Sequence, residues 1–291
     1  TIATASADNT VKLSYLKGIL PTFAGNSVSI SPDGETVAVA NQNIITLQQQ
    51  NGSFIHSFDS QTAEIVKIKF SPTGKYLITI DRDNQIKVWN LQGKLLRKWR
   101  GHDLTKNNIG FDAIQDIDIS ADGKTIATIS RVDKRVRLWN LQGKLIKSWQ
   151  LNNDLVTSIQ FSPDGDSLAI AADKTVKIWN LQGNLLRTIT GHKKNIAALN
   201  FNSDGRIIAT ASNDKTVKLW QRDTGKLLQT LTHQDNVYAV TFSADDSLVI
   251  TGSKDKTLNF WSLDGNWLNT IKGHRGEIKE IEFSRDNNIF A

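Results

Sequence analysis

Residues 196–231 read IAALNFNSDGRIIATASNDKTVKLWQRDTGKLLQTL, and this stretch decides the fold of the whole chain. Ile196–Phe201 is an apolar, alternating run that ends at the hairpin turn Asn202–Gly205. Arg206–Ser212 is rich in β-formers and meets the tight turn Asn213-Asp214-Lys215. Thr216–Trp220 follows, then a turn closing on Gly225, then Lys226–Leu231. Asp-Gly and similar pairs supply the positive φ that tight hairpins need, so the stretch predicts four short antiparallel strands. No segment keeps an apolar 3.6-residue period over ten residues, so helices beyond short turns are not expected.

Working outward, the same turn recurs. It stands at Ser31-Pro32-Asp33-Gly34, Ser71-Pro72-Thr73-Gly74, Ser120-Ala121-Asp122-Gly123 and Ser162-Pro163-Asp164-Gly165. Beyond Asn202 it returns as Ser243-Ala244-Asp245-Asp246 and Ser284-Arg285-Asp286-Asn287. The steps between first residues are 40, 49, 42, 40, 41 and 41, so seven turns mark seven units and one unit is long. The extra residues fall between His102 and Ile119, roughly at Asp103–Ala113.

Three further motifs ride on the period. Gly101-His102, Gly191-His192 and Gly273-His274 precede a first strand, with His233 after Thr232 as a variant. Asp83, Asp133, Asp173, Asp214 and Asp255 stand in tight turns, each six residues before Trp89, Trp139, Trp179, Trp220 and Trp261. In these features the chain resembles the WD-repeat β-propeller family, and the near-identical Leu-Gln-Gly linkers resemble those of bacterial, particularly cyanobacterial, members. The resemblance implies an all-β fold: a seven-bladed propeller of four-stranded antiparallel blades, residues 1–291 forming one ring. The N-terminal strands are expected to complete the C-terminal blade against Ile278–Phe283, in preference to Ile289-Phe290-Ala291. The unit near Val28 lacks both Gly-His and Trp, Ser14 takes a Trp position, and Leu151-Asn152 replaces Gly-His before Val156. Those blades are expected to lack a full internal hydrogen-bond network.

His192, Ser212, Asp214 and Trp220 look at first like a catalytic set. The repetition as His233, Ser253, Asp255, Trp261 and as His102, Ser130, Asp133, Trp139 argues against that. The resemblance implies structural tetrads, His bridging Asp and Ser with the indole N–H completing them. One His per unit at most cannot converge as a zinc set, and no cysteine supplies a thiolate or nucleophile. Phosphate-loop, dinucleotide and nucleophile-elbow motifs are absent, so neither an enzyme nor a cofactor is expected. Asp116 and Asp118 alternate on an inner strand as Lys67 and Lys69 do one unit earlier, which predicts charge pairing between neighbouring blades.

The 291 residues carry 35 Lys+Arg against 29 Asp+Glu, a net charge of +6 that is scattered along the chain. That distribution does not argue for nucleic acid, and no apolar run is long enough for a membrane span. The lack of any Met, initiator included, leads us to expect a piece of a longer chain. A cytoplasmic location and a monomeric state are the working expectations. The expected function is a rigid platform for a protein or peptide bound on the His-side loop face. The contact positions implied by the resemblance are Glu64, Arg82, Asn195, Asn213, Asn236, Lys254 and Glu277, joined by Lys106, Ile109 and Phe111 of the long loop. The alternatives are a sensor or regulatory array in a larger signalling NTPase or kinase, and an enzyme using the central channel. The channel enzyme needs converging acid, base or metal groups, which the sequence does not display.

Overall fold

The computed structural model describes residues 2–15, 18–60, 63–102, 114–152 and 155–283. Within them the chain forms 28 strands in seven four-stranded antiparallel sheets, and no helix. Six sheets are continuous in sequence: 27–59, 65–100, 114–150, 156–190, 196–232 and 237–272, here the first to sixth blades. The seventh is assembled from both ends of the chain. Ile278–Phe283 is its innermost strand, followed outward by Ile2–Ser6, Thr10–Tyr15 and Gly18–Ala24. Ile2 lies opposite Phe283 and Thr4 opposite Ile281. Each innermost strand contacts that of the next blade, and the seventh returns to the first. The expected closure by N-terminal strands is therefore present, which removes two open sheet edges. Residues 284–291, including the competing Ile289–Ala291 copy, lie outside the described residues, as does the long loop at 103–113.

Local sequence explains each layer. Ile207–Ser212, the second strand of the fifth blade, is almost wholly buried because sheets cover both of its faces, so small residues replace polar–apolar alternation. Outermost strands such as Leu185–Thr190 are mostly exposed. The tight turn after the second strand places one residue in the left-handed region in every blade: Asn9, Gln42, Asn84, Lys134, Asp173, Lys215 and Lys256. In the Ser-x-Asp-Gly turns the Ser31 hydroxyl donates to Asp33, and this bond holds that carboxyl below its usual range.

The core lies between blades. Ala169, Ile178 and Ile189 of the fourth pack on Ile196, Leu199, Phe201 and Trp220 of the fifth, and the pattern repeats around the ring. Each large apolar side chain buried this way contributes about 1.5–3 kcal/mol. Two glycines are required by close approach. A Cβ on Gly143, at φ 80, would sit 2.7 Å from the Trp99 ring of the preceding blade. One on Gly252 would meet Ile278 at 2.6 Å.

Candidate functional site

The fifth blade holds a complete polar chain beneath its loops. Trp220 Nε1 donates to Thr210 Oγ1 at 2.8 Å, and the same oxygen lies 2.7 Å from His192 Nε2. His192 Nδ1 is 2.9 Å from Asp214. The assignment that satisfies every group has Nδ1–H donating to Asp214 and Thr210 donating to Nε2. Burial lowers the His192 pKa against the pull of Asp214, so the ring is neutral. Although burial opposes it, hydrogen bonding from Thr216, Lys193 and His192 brings the Asp214 carboxyl down to about 2. The third blade repeats the arrangement with Trp139, Thr128, His102 and Asp133.

Here the structure corrects the expected tetrads. The bridging hydroxyl belongs to Thr210, Thr128 and Thr251, two residues before Ser212, Ser130 and Ser253 on the same strand face. Ser212 instead donates to the carbonyls of Lys194 and Asn195, and Ser253 to that of Asn236. Ser130 accepts the Val132 and Asp133 amides. These serines fasten loops, and none presents a hydroxyl to the histidine for nucleophilic use.

The sixth blade departs in a second way. His233 occupies the place that glycine takes elsewhere: its amide donates to Lys215 O as the Gly101 amide donates to Asn84 O. Entering one residue early, the ring turns Nδ1 to Leu231 O at 3.3 Å and forms no hydrogen bond with Asp255. Its Nε2 still meets Thr251, which also receives Trp261 Nε1–H. Burial lowers His233 to about 4.

Other blades substitute the network. In the second, Lys87 and Asp81, 2% and 1% exposed, form an ion pair of 2.8 Å, while Trp89 donates to Thr79. In the fourth, Leu151 takes the glycine position, its amide donating to Lys134 O, and Asn152 follows at the His position. Ile170 stands at the Thr position, and Trp179 Nε1 finds no acceptor among the described residues. In the seventh, His274 reaches Thr4 and Thr10 across the ring closure, and Asp8 accepts the Arg275 and Gly276 amides.

Innermost strands present one exposed edge to the central channel, and their side chains satisfy the amides of the next blade. Glu280 accepts from Val28, Ser27 from Ile68, Ser29 from Phe70, Asp116 from Ile159, Asp118 from Phe161 and Gln160 from Phe201. Lysines cannot accept, so the second blade's charges are met differently. Lys67 pairs with Asp116 at 3.0 Å and Lys69 with Asp118 at 2.9 Å, the pairing expected from sequence. Burial opposes the Lys67 charge, but Asp116 and Glu280 outweigh it and hold the ammonium above its usual range. Burial pushes Glu282, against the pull of Lys69, up to about 7. Among the described residues no group of three or more His, Cys, Asp or Glu is placed to hold a metal ion.

The described contact positions form three groups on the His-side face. Glu64 and Arg82 pair at 2.9 Å on the second blade. Glu277 lies 4.0 Å from Lys254 and pairs with Lys279, whose ammonium stands 3.6 Å from the centre of the Tyr238 ring. Asn236 Nδ2 approaches the Tyr238 hydroxyl at 3.5 Å. Tyr238 and Lys279 were not among the expected contacts, since they sit inside a strand pattern that reads as structural. Asn195 and Asn213 join through their backbones, Asn213 N donating to Asn195 O. Lys106, Ile109 and Phe111 lie outside the described residues.

With this geometry in place, comparison with known proteins is informative. The family description "WD domain, G-beta repeat" matches residues 52–90 and 93–140, and "IFT122 first beta-propeller" matches 155–291. COMPASS component SWD3 of Saccharomyces cerevisiae is 30% identical over 74 residues, 25% of this chain and 24% of that protein. The chain thus spans about a quarter of the length of that relative. Seven four-stranded blades, the Asp-to-Trp spacing in five of them and these matches together support a WD-repeat propeller family for this chain.

Proposed function

We propose that the chain is a non-catalytic platform that holds a protein or peptide on its His-side loop face. One observation carries the reading: charged, amide and aromatic side chains of the sixth and seventh blades gather at that face, over loops fixed from below by buried hydrogen bonds. Such a surface offers a partner rigid polar anchors at little entropic cost. The WD-repeat matches and the name of the yeast relative, a component of an assembly, support the same reading. The long-loop residues Lys106, Ile109 and Phe111 join the proposed surface by their place in the sequence. A cytoplasmic setting belongs to this reading. A second use, as a regulatory array within a larger signalling protein, is favoured by the bacterial-like linkers Asn90–Lys94, Asn140–Lys144 and Asn180–Asn184.

The test is affinity capture of the partner by the intact protein, compared with Arg82→Ala, Phe111→Ala and Glu277→Lys. The expected outcome is retained folding with loss of the partner in at least the Glu277 variant. Undiminished capture by all three would place the binding surface elsewhere.

A further inference from the structure

The third strands of five blades share a feature that the first blade, with Thr46 at the equivalent position, and the sixth lack. Two residues before the Trp position stand Lys12, Lys87, Arg137, Lys177 and Lys218, each a long cation. Arg137 pairs with the turn carboxylate Asp133 at 3.1 Å and donates to Gly101 O at 2.7 Å, whereas Lys218 donates to Thr230 and Lys87 pairs with Asp81. Like Arg137, Lys12 donates to a glycine carbonyl, Gly273 O. The sixth blade has Asn259 instead. Its short amide turns to its own strand neighbours, donating to Thr257 and accepting from Thr270.

Where the long side chain is missing there is a cavity of about 720 Å³, lined by Thr232, His233, Asp255, Asn259, Trp261 and Trp267. Asp255 is the counterpart of Asp133 and Asp214. Its Oδ1 accepts from the Thr257 amide and hydroxyl, but Oδ2 takes no donor among the described residues. The His that would cover that oxygen has turned to Leu231 O. Trp267, 58% exposed, stands at the cavity with its ring available. Lys256 and Lys272 lie at the rim, exposed, and neither forms an ion pair with Asp255 among the described residues.

An open carboxylate oxygen beside indole rings, in the place of a missing lysine, is chemically a receptor for an organic cation. We propose that this pocket on the sixth blade binds a primary ammonium group carried on an aliphatic stem, the lysine-like cation that the blade does not supply for itself. The carboxylate takes the charge, Trp261 and Trp267 take the stem, and the neutral His233 adds no repulsion. The proposal stands on this cavity alone and does not depend on where a protein partner docks.

The test follows the indole N–H signals of the 15N-tryptophan-labelled protein during titration with n-butylammonium. Trp267→Phe assigns the reporter at the pocket mouth. The expected result is a saturable shift of the Trp261 and Trp267 signals. Binding should weaken about ten-fold or more in Asn259→Lys, which refills the pocket from within, and in Asp255→Asn. Unchanged remaining indole signals in Asn259→Lys verify the fold. Nα-acetyl-lysine methylamide separates the sources: binding by it shows that a protein's lysine side chain fits, and binding by butylammonium alone assigns a free small amine. The proposal is overturned if neither amine saturates, if n-butanol matches the ammonium, if butyrate binds better through the rim lysines, or if Asn259→Lys leaves affinity unchanged.

Discussion

The fourth and fifth blades have the same strands and the same registers, yet one is held by a polar chain and the other by none. In the fifth, Trp220, Thr210, His192 and Asp214 satisfy one another. In the fourth, Asn152 stands at the His position and Ile170 at the Thr position. Leu151 and Ile170 join the buried apolar cluster, and the Trp179 indole finds no acceptor among the described residues. A buried network costs free energy when half built, but can be exchanged whole for apolar packing of similar volume. The difference therefore teaches that these histidines and threonines secure one arrangement of the loops, while the blade itself is specified by strand pattern and inter-blade packing.

The largest test of that view lies in the second blade, where the network has become a buried ion pair. Lys87→Met should cost about 3–5 kcal/mol by stranding Asp81, measured by denaturant unfolding. Adding Asp81→Ser, the residue that stands there in the third, fifth and sixth blades, should recover much of the loss. A single variant as stable as the wild type would show that the pair is not desolvated.

Next comes the fifth blade. Thr210→Val removes the acceptor of Trp220 and the partner of His192 at once, with an expected loss of about 2–4 kcal/mol. The double change His192→Leu with Thr210→Ile, which exchanges the polar pair for apolar side chains, should lose less than the two single changes summed. Simple additivity in this cycle would break the comparison.

The channel and the histidines titrate with opposite signs. Glu282, pushed up to about 7, holds a proton in the folded state that the unfolded chain releases near 4.5, so its contribution is lost as pH rises from 4.5 through 7. His233, lowered to about 4, acts in the other sense: stability present above about 6.5 is lost as pH falls toward 4. Glu282→Gln should therefore stabilise at pH 8 relative to pH 5, by on the order of 1–2 kcal/mol, in thermal melts across that range. A pH-independent effect would remove Glu282 from the account. The smallest effect is expected in the fourth blade, where Trp179→Phe deletes an N–H that has no acceptor among the described residues. A change of about 0–1 kcal/mol, neutral or stabilising, is expected by calorimetry.

Much of this was legible in the sequence because it is written at a fixed period. The Ser-x-Asp-Gly turns, the Asp-to-Trp spacing and the partial unit at each end suffice for seven blades and their closure. The Lys67–Asp116 and Lys69–Asp118 pairs were legible for the same reason: equivalent positions of adjacent repeats become neighbours. The identity of the bridging hydroxyl was not, since Thr210 and Ser212 lie two residues apart on one strand and share a face. The turned ring of His233 was also hidden. His233 and His192 both stand nine residues before the Phe ending their inner strands, and only the hydrogen bond of its amide shows which position it fills. The open pocket beside Asp255 depends on that displacement together with a single Lys-to-Asn difference. The isolated residues of one repeat carry no sign of it.

The way the ring is closed also sets how it comes apart under force. Ile2 and Phe283 form the first rung of the antiparallel closing pair, so tension applied through those two residues pulls on one end of a ladder. Such a joint peels, each hydrogen bond meeting the force in turn, where a pair pulled lengthwise would share it among all rungs. After the ladder, the clasp of His274 on Thr4 and Thr10 and of Asp8 on Arg275 and Gly276 would be the last to yield. In an optical trap the seventh blade should therefore open first, at low force and in small steps, while the six blades continuous in sequence are still folded.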